Sequence, residues 1–121
     1  MEAAHIPQPR ALHVGDLEIL PSDGLVRAEQ RVLTLSVRDF QLLVALAARA
    51  GLIVTRQDLY GVVWGGALRD GDRSIDVYVH KLRVKLEEAL PDWNYIHTHV
   101  GFGYRLSPEP SHLFHNSATS R

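Results

Sequence analysis

The spacing of apolar residues changes twice along this chain. Between residues 12 and 35 they come in short runs broken by turn residues. Leu12-His13-Val14 precedes Gly15-Asp16, and Leu17-Glu18-Ile19-Leu20 precedes Ser22-Asp23-Gly24. Leu25-Val26-Arg27 and Val32-Leu33-Thr34-Leu35 flank Glu29-Gln30. Runs of this length between turn signals predict an antiparallel meander of three or four strands. From Ser36 the spacing becomes helical. Ser36 with Asp39 resembles a capping box with Asp in place of Glu; Phe40, Leu43, Val44 and Ala47 form the expected inner stripe, and Gly51 is a natural stop. A second helix is expected from Thr55, with Asp58 in its first turn and Leu59, Val62 and Val63 inward, closing near Trp64-Gly65-Gly66. A polar loop, residues 65–72, follows, and Asp72 is a candidate cap for a third helix ending near Glu88, before Pro91. Tyr95-Ile96-His97-Thr98, Gly101-Phe102-Gly103 and Tyr104-Arg105-Leu106 then read as a β-hairpin with a glycine-pinned tip. Residues 11–107 are taken as one domain, 1–10 (with Pro7 and Pro9) as a linker or leader, and 108–121 as a flexible tail.

The third helix carries the most information. At 100° per residue, Ile75, Val79, Leu82 and Leu86 fall within about 60° of one another, the stripe of a helix docked on a core. Arg73, Val77, His80, Lys81 and Val84 lie on the opposite side. Ser74, Tyr78 and Lys85 flank that face on one edge, Asp76 and Arg83 on the other. Such a face suits a DNA major groove, where Lys and Arg meet phosphates and guanine edges and a valine touches a thymine methyl. It is equally the solvated face of an ordinary amphipathic helix, and these residues alone do not separate the two.

Bulk composition permits nucleic-acid binding without demanding it. The 121 residues are 45% apolar, enough for one core, and carry a net charge of −1, where a basic total is the usual footprint of a DNA binder. The charge is unevenly placed. Residues 73–86 hold four Lys/Arg against one Asp, whereas Glu2, Asp16, Glu18, Asp23 and Glu29 all precede residue 30. The absence of cysteine excludes disulfides and thiolate metal sites and is compatible with a reducing cytoplasm, the expected location. No apolar run approaches the length of a membrane span.

Helix, helix, loop, basic helix and hairpin is the order of a winged helix. The chain resembles the C-terminal output domain of OmpR/PhoB-type response regulators of bacterial two-component systems. The resemblance spans roughly residues 12–107 and is carried by Leu33-Thr34-Leu35 before Asp39-Phe40-Gln41-Leu42-Leu43, by Thr55-Arg56-Gln57-Asp58-Leu59 and by Val63-Trp64-Gly65. Arg73-Ser74-Ile75-Asp76-Val77, Leu82-Arg83-Val84-Lys85-Leu86, and Ile96-His97-Thr98 running into Gly101-Phe102-Gly103-Tyr104-Arg105 complete it. It implies an α+β winged helix-turn-helix with an N-terminal four-stranded antiparallel sheet, a three-helix core and a C-terminal wing. It implies sequence-specific binding of double-stranded DNA by a transcriptional regulator, with helix 73–88 in the major groove and wing 95–106 on the adjacent backbone or minor groove. The targets would be tandem direct repeats, bound by a protein monomeric when free and dimeric on DNA. Arg73, Ser74, Tyr78, His80, Lys81 and Arg83 match positions that meet phosphates or bases, Val77 one that packs on the groove floor, and Thr98 and Tyr104 wing positions that hydrogen-bond the backbone. Ala67, Leu68, Arg69, Asp70 and Gly71, beyond Trp64, match the loop that meets RNA polymerase in activators. An upstream receiver domain, not part of this chain, is also implied. The chain departs from the pattern at Val100, where the wing commonly has Arg, and at Tyr78 and His80, where His and Arg are frequent.

Other chemistries have less support. His97 and His99 share a strand face, and His112 and His115 lie near the C-terminus, but no cysteine, HExxH or carboxylate at ligand spacing accompanies them; no metal or cofactor is expected. No phosphate loop or nucleophile elbow suggests an enzyme, and Asp76 is expected to pair with Arg83 along the helix edge. The alternative is a winged-helix module that docks protein, such as RNA polymerase, without reading DNA; near-neutral charge and Val100 favour it, and Arg73, Lys81, Arg83 and Lys85 oppose it. Trp64 is expected as a core anchor beneath its loop, while Phe102 is either exposed at the hairpin tip or folded back on the core.

Overall fold

The computed structural model describes residues 11–111. The N-terminal meander has four strands, β1 (Leu12–Val14), β2 (Leu17–Leu20), β3 (Leu25–Ala28) and β4 (Arg31–Leu33), paired in sequence order. Alternation along β2 and β3 puts Leu17, Ile19, Val26 and Ala28 on the buried face. Three helices follow, α1 (Val37–Ala47), α2 (Arg56–Val63) and α3 (Ser74–Ala89), then the hairpin strands β6 (Trp93–His99) and β7 (Gly103–Pro110).

A short strand, β5 (Ile53–Thr55), is an element the spacing does not predict. It lies between α1 and α2 and pairs antiparallel with β7, making a second sheet of order β5-β7-β6. Gly103 permits this pairing: a Cβ there would collide with the Val54 carbonyl oxygen and the Thr55 Cα. The wing is therefore rooted in the helical core through β5.

Both expected helix starts carry their caps. Ser36 Oγ accepts the Asp39 N–H (3.1 Å) and Thr55 Oγ1 the Asp58 N–H (3.0 Å). The Asp39 carboxylate does not close a box; it is buried and meets Lys85 Nζ at 3.4 Å, tying α1 to α3. Lys85, which also donates to the Thr34 carbonyl, thus belongs to the scaffold rather than to an outward basic face.

Three expectations of packing are corrected. On α1 the fully buried residues include Leu42 and Leu46 beside Leu43 and Ala47, while Phe40 and Val44 sit at the half-buried edge. The helix packs against α2, α3 and β7, so its apolar face is wider and rotated from the stripe drawn. On α2, Leu59 and Val63 are inward but Val62 is 65% exposed, eight residues being too few to fix a stripe. At the C-terminal end β7 continues through Pro110, paired with Trp93, so residues 108–110 belong to the sheet and not to a tail. The leader 1–10 and residues 112–121 lie outside the described residues.

Candidate nucleic-acid interface

The start of α3 is held by Asp72, whose Oδ1 accepts the Ser74 N–H at 2.9 Å. The hydrogen bonds from Ser74 hold the Asp72 carboxyl below its ordinary value. From there the helix buries the stripe drawn for it: Ile75, Val79, Leu82 and Leu86 are each at most 1% exposed. With that side in the core, Arg73, Val77, His80, Lys81 and Val84 reach solvent on the other. Arg73 is 78% exposed, and Val77 and Val84 lie open between the cations.

The flanks behave differently from the centre. Tyr78 is half-buried, in edge contact with Trp64 at 5.3 Å, and Lys81 Nζ sits over its ring at 4.9 Å. Trp64 is itself stacked on Tyr60 and covered by the Arg38 guanidinium, and it is half-buried in that aromatic cluster rather than sunk in the core. Ser74, expected to face DNA, has a buried Oγ, and its N–H is held by Asp72.

Arg83, expected to meet DNA while paired with Asp76, is engaged within the protein instead. Its Nε and Nη2 donate to the Ile96 carbonyl (3.2 and 3.0 Å), and Nη2 also donates to Thr98 Oγ1 (3.0 Å). Arg83 thus fastens α3 to β6. Its expected partner Asp76 is engaged elsewhere. Asp76 Oδ2 meets Arg56 Nη2 at 3.0 Å and Arg73 Nε at 3.7 Å, and Oδ1 accepts the hydroxyl of Tyr104. Tyr104, expected to reach DNA backbone, is 7% exposed, because it shares the core-facing side of β7 with Leu106. Burial first, then the Asp76 hydrogen bond and charge, push its phenol up to about 12.

At the wing tip the Phe102 N–H closes a turn on the His99 carbonyl, leaving Val100 87% and Phe102 70% exposed. Phe102 is therefore outward, and Thr98 is exposed beside it. His99 is tied within the wing: its Nε2 accepts the Arg105 Nε–H at 3.0 Å. His97 Nε2 lies 2.7 Å from the Ser107 carbonyl, and no metal-binding cluster occurs among the described residues. Ala67, Arg69, Asp70 and Gly71 are exposed in the loop before α3, and Leu68 is half-buried. A cleft of about 720 Å³ runs between that loop, the start of α3 and the wing, lined by Arg56, Arg69, Arg73, His99 and Phe102 among others.

Arg56 is the site residue the sequence did not single out, and Asp76 was assigned a different partner. One signal was available for Arg56. A cation in the first turn of a helix opposes the macrodipole, which favours anions there, and so implies a tertiary partner.

Two sheets flanking three helices, with the third helix presenting cations beside a hairpin, define a winged-helix domain. A family described as "Transcriptional regulatory protein, C terminal" matches residues 29–106. The chain belongs to this family, the OmpR/PhoB-type output domains that its motifs resemble. It is 36% identical over 101 residues to the transcriptional regulatory protein TcrA of Mycobacterium tuberculosis, covering 84% of this chain and 40% of TcrA. The chain therefore spans about two fifths of that relative's length. Among solved structures it is similar to the Klebsiella pneumoniae RstA DNA-binding domain in complex with the RstA box (32% identity, TM-score 0.75, 84% of this chain and 100% of that one). It is also similar to the DNA-binding domain of Escherichia coli CpxR (29% identity, TM-score 0.75, 82% and 97%).

Proposed function

We propose that this chain is the DNA-reading module of a bacterial transcription regulator, with α3 in the major groove and the β6–β7 wing against the adjacent backbone or minor groove. The observation that carries this is the division of α3. Its whole apolar stripe is buried, while Arg73, Val77, His80 and Lys81 stand outward along more than two turns. Lys81 and Arg73 have the reach for guanine edges or phosphates, and the small Val77 lets the helix approach the groove floor. Arg83 and Tyr104 act from behind, by placing the wing, and Thr98 and the tip make its outer contact. Tandem direct repeats as target, a monomer that pairs on DNA, an upstream receiver domain, a cytoplasmic location and docking of residues 67–71 on RNA polymerase belong to the same reading.

The test is the salt dependence of binding to double-stranded DNA by fluorescence anisotropy, wild type beside an Arg73→Ala/Lys81→Ala variant. The expected result is binding that falls steeply with salt, and a slope flattened in the variant by about 0.9 for each phosphate its side chains no longer neutralise. Absence of binding at low salt in the wild type would overturn the reading in favour of protein docking.

A further inference from the structure

We infer that Asp76 is a positioning residue: with Arg83 it forms a two-point clamp that fixes the wing's orientation on the recognition helix. The two residues are seven apart, so they share one edge of α3 about 10 Å from each other. Each grips a different strand of the wing. Arg83 holds β6 at the Ile96 carbonyl and the Thr98 hydroxyl; Asp76 holds β7 through the Tyr104 hydroxyl. Backbone pairing with β5 roots the hairpin's base, and the two side-chain attachments at this separation set its direction against α3.

Asp76 also joins the helix to the element behind it. Its Oδ2 binds Arg56 at the start of α2, and the same Arg56 Nη2 donates to the Asp72 carbonyl at 3.0 Å. The first turn of α3, the loop before it and the wing are thereby referred to a single carboxylate, which is only 29% exposed. The third contact has another character. Arg73 lies 3.7 Å away and 78% exposed, an ion pair that aims the guanidinium without binding it firmly, so it remains free to turn to DNA. A negative charge at the edge of a cationic face is unfavourable for meeting phosphate. Its presence is accounted for by what it holds in place.

That last point makes the test one of sign. Asp76→Asn keeps the shape and an acceptor for Tyr104 but loses the charge that holds Arg56 and aims Arg73; Tyr104→Phe removes the β7 grip alone. The first readout needs no DNA: hydrogen exchange of the 121-residue chain, expected to quicken in segment 98–104 in both variants while residues 82–86 stay protected. The second rests on the DNA-reading proposal. Affinity for a duplex selected by the wild type should fall roughly ten-fold in Asp76→Asn, the size of one missing charge-assisted hydrogen bond, although the variant is more positive. Unchanged wing exchange in both variants would overturn the clamp. So would tighter binding of Asp76→Asn to every duplex, the result of simple charge removal. Should Asp76→Asn not fold, exchange in Tyr104→Phe decides alone. Wild type that binds no duplex would overturn the DNA reading, and the exchange readout would still judge the clamp.

Discussion

Arg83 reaches across from α3 to close on the Thr98 hydroxyl, fifteen residues later, while the same guanidinium holds the Ile96 carbonyl. A side chain that a helical wheel places at the edge of a DNA-facing surface is thus spent on the protein's own wing. Arg83→Ala should therefore lower folding stability by about 1–2 kcal/mol, the net worth of charged hydrogen bonds that are partly open to solvent. Arg83→Lys should recover little of it, because an ammonium lacks the planar fork that serves both acceptors. Urea denaturation measures both variants, and wild-type stability in Arg83→Ala would show that these hydrogen bonds contribute nothing to folding.

Leu82 separates the two sides of the same helix. It is fully buried among the residues of α3's inner stripe. Truncation to Ala should cost about 2–5 kcal/mol through the cavity it leaves. Val62→Ala, at a 65% exposed site, should stay within about 0.5 kcal/mol of wild type. Thermal or urea melts of the pair test the assignment of inner and outer faces.

Tyr104 gives the fold an alkaline limit. Its ionisation is pushed from 10.0 up to about 12 by burial and by Asp76, so the folded state holds the phenolic proton more tightly than the unfolded chain does. The resulting stability is fully present below pH 10 and is lost as pH rises through about 12. Burial also raises Tyr95, whose hydroxyl oxygen accepts the Asp16 N–H, so some alkaline loss belongs to that residue. Tyr104→Phe should flatten the fall in melting temperature between pH 10 and about 12 without abolishing it. An identical pH profile in the variant would contradict the assignment.

The sequence makes local features legible and leaves distant pairings obscure. The buried stripe of α3 and the Ser36 and Thr55 caps depend on neighbours within a turn or a few turns, and each is where the spacing puts it. Strand β5 was invisible because three residues carry too little alternation and their partners lie some fifty residues later, at Gly103–Arg105. The roles of Asp39, Asp76, Arg83 and Lys85 were obscure for a related reason. A helical wheel gives the direction of each side chain but not what stands there, and all four find partners on another element. The exposed centre of the candidate site, Arg73, Val77, His80 and Lys81, needed no such knowledge, since nothing among the described residues covers it.

The wing tip makes the final prediction. Val100 and Phe102 are exposed residues of a turn whose neighbouring histidine is tied to Arg105, so the tip offers apolar surface. On the proposed reading, an apolar side chain beside the minor groove contributes by packing on sugars or base edges, a contact that releases no counterions. Phe102→Ala should then weaken DNA binding by about 1 kcal/mol while leaving the slope of affinity against salt unchanged. Val100→Arg should do the opposite, raising affinity at low salt and steepening the slope by about 0.9, as one added phosphate contact requires. Salt-series titrations of the two variants beside wild type distinguish packing from charge. A flatter slope in Phe102→Ala would mean that the tip positions a cation instead.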